Sequence, residues 1–305
     1  MVRFLFLFLL ILIMGTVSIS KERAFSVAEI GSSAKFIGLG GIELSTSSAA
    51  SVFHNPALLQ GKYSYSLSVF TTQLFNEVNY RNLAFSKQFK KFNFGVGYMD
   101  ARVVDLPTTV KLTDNMGSYF DITGYYDISF SLYKAAISYQ LNNNFIFGVG
   151  VSYIDNSISD ISANGFNADL GLNYKHKNNS FSLSIDNIFQ YYDLEYSNDA
   201  DEAYPLKATF SYLKNFAFVT PMIQYSLVQD YLPQMAIGML FKYPKFSFLD
   251  GFLGYKSDYY LDDYDYKFTL GLGLNFFGVN FHYAYQKSDY INTDNYSFFS
   301  MMIKI

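Results

Sequence analysis

Few side chains in this 305-residue sequence are placed to do covalent or metal chemistry. The three histidines, His54, His176 and His282, form no H-x-H pair, and no serine stands at a spacing that would use one of them as a base. Cysteine is absent, which removes disulfides and thiolate-bound metals. Carboxylates gather at Asp199, Asp201 and Glu202 and again at Asp262, Asp263 and Asp265. A divalent cation would be sought there, although plain solvation of surface loops is the preferred account. Gly271-Leu272-Gly273 sits in an alternating segment and is no phosphate-cradling loop. The expectation is a protein that is not an enzyme, with no catalytic group, no metal and no cofactor. Net charge is −4 without a basic patch, so no nucleic-acid partner is expected. What remains is chemistry of the backbone. Gly38, Gly40 and Gly41 permit close approach and positive φ. Asn55-Pro56, followed by Ala57, is a turn that ends any regular element before it. These six residues are the candidate site, and the sequence assigns no ligand-binding residue.

The elements that must hold them are strands. Phe145, Phe147, Val149 and Val151 alternate with Ile146, Gly148, Gly150 and Ser152, and Phe268, Leu270, Leu272 and Leu274 alternate with Thr269, Gly271 and Gly273. A strand sends successive side chains to opposite faces, so each such segment has one apolar face and one small or wet face. About fourteen segments of this kind follow one another: 63–72, 78–89, 92–102, 127–140, 144–155, 165–175, 180–188, 204–214, 218–228, 233–242, 247–256, 266–275, 278–287 and 296–305. Roughly 9–11 tilted residues cross a bilayer. The expected fold is all-β: a transmembrane antiparallel β-barrel of about 14 strands, with lipid outside. Tyr and Phe make up the whole 20% aromatic content, and charged residues are only 16%, in keeping with a membrane-embedded surface.

Three domains are expected. Residues 1–20 have a charged start at Arg3, an apolar stretch from Phe4 to Met14, and Ser18 and Ser20 before a cleavage point, which is the pattern of a secretory signal peptide. Residues 21–62 are rich in small residues and lack strand alternation; they are expected to form a hatch or plug inside the lumen. Residues 63–305 form the barrel. Connections alternate between short turns with Lys90, Lys91, Lys177, Lys214 and Lys245 nearby and longer acidic loops, as at 103–126 and 189–203. Apolar parity switches within 128–139 and near 249–251, and a β-bulge is expected at each. Pro221 predicts a local disruption of its strand. Gly95, Gly97, Gly148, Gly150, Gly171, Gly238, Gly271 and Gly273 are expected to make room for the hatch or to ease strand curvature. Arg81, Lys87, Asp169, Asp186 and Lys207 are expected to point into the lumen and to pair with hatch groups.

The run Gly31, Ala34, Gly38, Gly40-Gly41, followed by Ala49-Ala50-Ser51-Val52-Phe53-His54-Asn55-Pro56-Ala57-Leu58, resembles the N-terminal signature of the PorV/PorQ outer-membrane protein family, itself similar to the FadL long-chain fatty-acid transporters. His54, Leu58 and Ser47-Ser48 depart from the usual pattern. The resemblance implies a fourteen-stranded barrel in the cell outer membrane of a diderm bacterium, surrounded by outer-membrane lipid. It implies a hatch whose rearrangement, at Asn55, Pro56 and Ala57, admits a hydrophobic small-molecule ligand. The alternative it implies is a binding or shuttle component with secretion-machine proteins of a type IX-like system as partners. A passive structural porin is a further alternative.

Overall fold

The computed structural model describes residues 22–23, 26–59, 64–75, 77–114, 117–189, 194–195, 201–242, 244–260, 263–287 and 295–305. Residues 1–20, expected as a signal peptide, and residues 60–63, expected as the end of the hatch, lie outside these. Fourteen antiparallel strands close into one barrel. They are β1 Tyr65–Leu74, β2 Val78–Phe89, β3 Phe92–Asp114, β4 Gly117–Gln140, β5 Phe145–Ile158, β6 Ile161–His176 and β7 Asn179–Asp186. Then come β8 Lys207–Lys214, β9 Val219–Val228, β10 Gln234–Lys242, β11 Leu249–Tyr260, β12 Asp263–Phe276, β13 Val279–Gln286 and β14 Tyr296–Lys304. Each pairs with its neighbours in sequence, and β14 closes on β1 with Ile303 opposite Leu67. Every alternating segment of the sequence became one strand.

The outer wall is the apolar face of the alternation. Phe94, Val96, Phe147, Val149, Val151, Phe268, Leu270 and Leu272 are all exposed, as residues facing lipid tails must be. Two rows of rings border this belt. Tyr98, Tyr133, Tyr153 and Phe166 stack along one edge, with neighbouring centroids 4.9, 6.2 and 4.8 Å apart. Phe92 with Tyr139, and Phe145, Tyr174, Phe181 and Tyr212, line the other. Rings with an apolar body and a polar tip settle at the two membrane–water boundaries. Just beyond the first row, Arg81 Nη2 lies 2.8 Å from Asp100 Oδ2 on the outer face. Arg81 and Lys87 therefore point outward, not into the lumen as expected. The lumen positions of β2 are the even ones, Tyr80, Asn82, Ala84 and Ser86.

The expected bulges are absent. Pairing of β4 is continuous from Val103↔Ile128 to Phe92↔Tyr139 on one side and from Ile128↔Ile158 to Gln140↔Ile146 on the other. Residues 128–138 keep one parity, so Ile128, Phe130 and Leu132 face the lumen beside Lys134, Ala136 and Ser138. The same holds at β11, where Phe252 faces inward in an unbroken register. The switch of apolar parity was a change in what the lumen needs, not a slip of the backbone. Pro221 causes no disruption either. It pairs across to Met239, while the β8–β9 register ends at Leu213↔Met222, so its missing N–H falls beyond the last bond of that ladder.

The two ends of the barrel differ. At one end the turns are short, and Phe277 and Gly278 both have positive φ, 46° and 87°, as a tight hairpin requires. At the other end only some connections are long, because several strands run on past the belt. Residues 103–126, expected as a loop, continue as a paired ribbon of β3 and β4 with register shifts after Val103 and Thr108. Alternating Thr, Val, Leu, Tyr and Phe sustain that ladder without lipid or core. At this long-loop end residues 22–23 pair with 201–203, which pair in turn with 194–195.

Candidate functional site

Residues 26–59 lie inside the barrel. Their chain runs from the long-loop end down to the short-turn end, where Tyr65 N–H donates to the carbonyl of Ile305. Four 3₁₀ turns and one short helix, α1 (Ala34–Gly38), make up the segment. Ser33 caps α1, its Oγ accepting from Phe36 N–H at 3.2 Å. Gly40 and Gly41 end it with φ of 74° and 76°, and Gly41 N–H returns to the Phe36 carbonyl at 2.8 Å. Only glycine takes two such residues in succession without strain. This accounts for the Gly-Gly pair of the sequence.

The barrel wall is shaped to this segment. A Cβ on Gly148 would overlap the backbone of Pro56 and Ala57, and one on Gly171 would overlap Asn55 Oδ1. A Cβ on Gly238 would come within 2.7 Å of the Leu39 carbonyl, and one on Gly254 would strike Gly40 N. The expected role of the lumen glycines therefore holds at these positions. Gly150 instead faces Lys134 and Asp169, and Gly271 and Gly273 face Phe252. The six candidate residues do not converge. Gly38, Gly40 and Gly41 meet β10, β11 and β13, whereas Asn55, Pro56 and Ala57 meet β5, β6 and β7. They are two anchor points of one plug.

Hydrogen bonds tie the plug to the wall around the ring. Tyr80 Oη of β2 donates to the Gly31 carbonyl at 2.7 Å, and Ala34 N–H donates to Ser300 Oγ of β14 at 3.1 Å. Gln224 of β9 accepts from Glu43 N–H at 2.9 Å and donates to the Gly41 carbonyl at 3.2 Å. Asn55 Nδ2 donates to the Leu183 carbonyl of β7 at 3.3 Å while its Oδ1 accepts from Ala57 N–H at 3.0 Å. Lys134 Nζ of β4 donates to the Phe53 carbonyl at 3.1 Å and pairs with Asp169 Oδ2 of β6 at 2.6 Å. Glu43 is buried, and Ser184 Oγ donates to its Oε1 at 3.0 Å. Burial raises the Glu43 carboxyl above its usual range, against the pull of Lys207 and Ser184. His54 stacks on Phe36 with centroids 4.1 Å apart. Burial holds its imidazole well below the usual value, and Lys134 and Lys207 act in the same direction. Asp169, Asp186 and Lys207 do face the lumen, as expected, and line the chamber described next. The carboxylates at 199, 201, 202, 262 and 263 lie outside the residues whose side chains are described.

Above the plug, toward the long loops, the lumen holds a chamber of ≈1200 Å³. One wall is apolar, built from Ile128, Phe130 and Leu132 of β4, Ile154 of β5 and Phe298 of β14. A charged sector adjoins that wall, from Lys134 of β4 itself to Asp169 of β6, Asp186 of β7 and Lys207 of β8. Glu29, Lys256, Asp265, Lys267 and Lys287 also line the chamber, and the floor is Phe36, Glu43, Phe53 and His54 of the plug. The chamber combines an apolar wall with charged groups of both signs, and a concave site of mixed character is a candidate small-molecule site. Sequence reasoning did not single out Phe130, Leu132 or Lys134. The parity switch at 128–139 was the signal, and it was attributed to the backbone.

Fold and site together define a transmembrane β-barrel with a plugged lumen and an apolar chamber on one side of the plug. No protein-family model matches the sequence, and no curated sequence matches it. Solved structures do match in fold. The chain is similar to a toluene transporter of P. putida, TodX, with a TM-score of 0.63 at 14% identity, covering 90% of this chain and 99% of that one. It is similar to the monoaromatic hydrocarbon channel CymD with a TM-score of 0.63 at 12% identity, covering 92% and 99%. At these identities the likeness is one of fold. It agrees with the fourteen-stranded barrel that the N-terminal signature implied, and no family match supports the PorV/PorQ resemblance.

Proposed function

We propose that the protein is an outer-membrane channel for hydrophobic small molecules, exported by way of a signal peptide cleaved after Ser20. Cargo enters at the long-loop end, which lies outside the cell. It rests against the apolar wall of the chamber and leaves toward the periplasm past a displaced hatch. The observation that carries the reading is the set of lumen-facing apolar side chains Ile128, Phe130, Leu132, Ile154 and Phe298 directly above the plug. A lumen meant only for ions and water has no use for them, since apolar surface facing water is unfavourable. That barrels of this fold are described as a toluene transporter and a monoaromatic hydrocarbon channel supports the same class of cargo. No reaction is part of this reading, and the protein is taken to be no enzyme.

The test is uptake. Expressed in a host without a comparable channel, the protein should raise the initial rate of entry of a labelled monoaromatic hydrocarbon. Leu132→Asp places a carboxylate on the apolar wall and should return that rate to the host's own, while heat-modifiable gel migration shows the barrel assembled. Uptake that ignores this substitution would sink the reading.

One observation favours a second reading. The β3–β4 ribbon beyond the barrel exposes Tyr119, Phe120, Ile122 and Tyr125. With the PorV/PorQ-like signature, it would suit a binding partner from a secretion machine at the cell surface. Cross-linking from Phe120 in native membranes separates the two, because a transport channel needs no stoichiometric protein there.

A further inference from the structure

The lumen has a second recess, of ≈490 Å³, on the short-turn side of the plug. It shares no lining residue with the apolar chamber. Its charged side chains are mostly cationic, where those of the chamber are of both signs. Lys35 of α1, Lys242 at the end of β10 and Lys304 of β14 converge on it, with His282 of β13. Asp250 of β11 is the single carboxylate side chain among its lining residues, and its Oδ2 already accepts from Asn275 Nδ2 at 3.1 Å. Ser45 of the plug also lines it. Ser45 is only 5% exposed, and its Oγ has no hydrogen-bond partner among the described residues. It is one of several such buried hydroxyls, and it is the one that lines this recess.

We infer that this recess is an oxyanion site, in which the ammonium groups of Lys35, Lys242 and Lys304 surround a carboxylate or phosphate group and Ser45 Oγ donates a hydrogen bond to it. Lys35, Lys242 and Lys304 repel one another, and an added anion reduces that repulsion while accepting from Ser45 Oγ. Burial, with Lys242 and Lys304 nearby, lowers the Lys35 ammonium to about 8, opposed only by Asp250. The bound group has two possible sources, the carboxylate head of an amphiphile emerging beneath the hatch or a free inorganic anion. The inference stands whatever the apolar chamber carries.

The experiment uses the full chain in non-ionic detergent at pH 7, with inorganic phosphate, octanoate and the neutral octanol as probes in ligand-observed NMR titrations. Saturable binding of phosphate, octanoate or both is expected, with octanol excluded from the competition. Affinity should fall tenfold or more in Lys35→Gln and in Lys242→Gln, and should be unchanged in Lys91→Gln, which sits at the same end but outside the recess. Binding should also weaken between pH 7 and 9.5 as Lys35 loses its proton, with Lys242, Lys304, Asp250 and His282 the groups that face it. Octanoate alone would identify an amphiphile head; phosphate binding would identify a free anion. Lys242 lies on the exposed rim, so its variant tests the site even if Lys35→Gln does not assemble. No saturable binding of either anion overturns the inference, and so does binding that is equal in the native protein and both recess variants.

Discussion

Asn55 has no exposed surface, and both ends of its amide are in use, on Ala57 N–H and on the Leu183 carbonyl. Asn55→Ala would leave the Ala57 N–H buried and unmatched and would remove the tie to the Leu183 carbonyl, which keeps its place in the β6–β7 ladder, at about 1–3 kcal/mol. Asn55 joins the plug to β7, so the loss falls on the seated plug and leaves the barrel ladder intact. The population of displaced plug should rise roughly five- to a hundredfold. The chain has no cysteine, so Ser51→Cys in the plug gives a single thiol whose labelling rate reads that population. Equal labelling with and without Asn55→Ala would show that this residue only packs. Glu43 acts on the same equilibrium through pH. Its carboxyl is raised above the ordinary 4.5, so the seated plug favours the protonated form. The seated plug binds more protons than the displaced one across the window from about 4.5 upward to the raised value, and its stability therefore falls as pH rises through that window. Thiol labelling at Ser51→Cys should accelerate over that range, and Glu43→Gln should flatten the dependence. A slope that survives the substitution would assign it to another group.

At the scale of the element, the link between β4, β6 and the plug is Lys134. Its side chain is 6% exposed, that of Asp169 is 3% exposed, and they meet at 2.6 Å. Removing one partner of a buried pair strands the other charge, at about 3–5 kcal/mol. Lys134→Met should therefore lower the thermal unfolding temperature well beyond what a surface lysine would, and Lys134→Met with Asp169→Leu should recover part of the loss. Recovery will be incomplete, because Asp169 Oδ1 also accepts from Asn187 N–H. Were the double variant no more stable than the single one, the pair would not be the anchor argued here. This element also shows what sequence could and could not reveal. Strand positions were legible because lipid demands an apolar residue at every second position, and fourteen such runs leave few alternatives. The plug was legible as a break in that rule. Lys134 and Phe130 were not. A lumen position has no fixed polarity: it matches whatever fills the barrel at that height, which alternation cannot encode. Reading lipid into every apolar run turned a lumen of two characters into two bulges. The outer face of Arg81 and Lys87 was legible, because they share the odd parity of the lipid-facing Leu83 and Phe85.

For the molecule as a whole, the plug divides the lumen. Phe36, Glu43, Phe53 and His54 present to the apolar chamber, while Lys35, Ser45 and Thr46 present to the cationic recess. The plug is bonded to β1, β2, β4, β7, β9 and β14, including Ala49 N–H to Ser66 Oγ at 3.3 Å. A molecule resting on Phe130 and Leu132 therefore meets a floor held from all sides. On the proposed route the floor must move, and a ligand can move it only by binding the displaced arrangement better than the seated one. This makes a covalent lock decisive. With Ala34→Cys and Ser300→Cys introduced into the cysteine-free chain, and the pair joined by a short thiol cross-linker, the plug is fixed to β14 beside the bond that Ala34 N–H makes to Ser300 Oγ. Locked protein should still bind hydrocarbon in the chamber, yet its uptake should fall to the level of the host without the channel. Release of a cleavable cross-linker should restore the rate. If locked protein carries cargo as fast as free protein, the route does not pass the plug, and the hatch is then a fixed filler of the lumen.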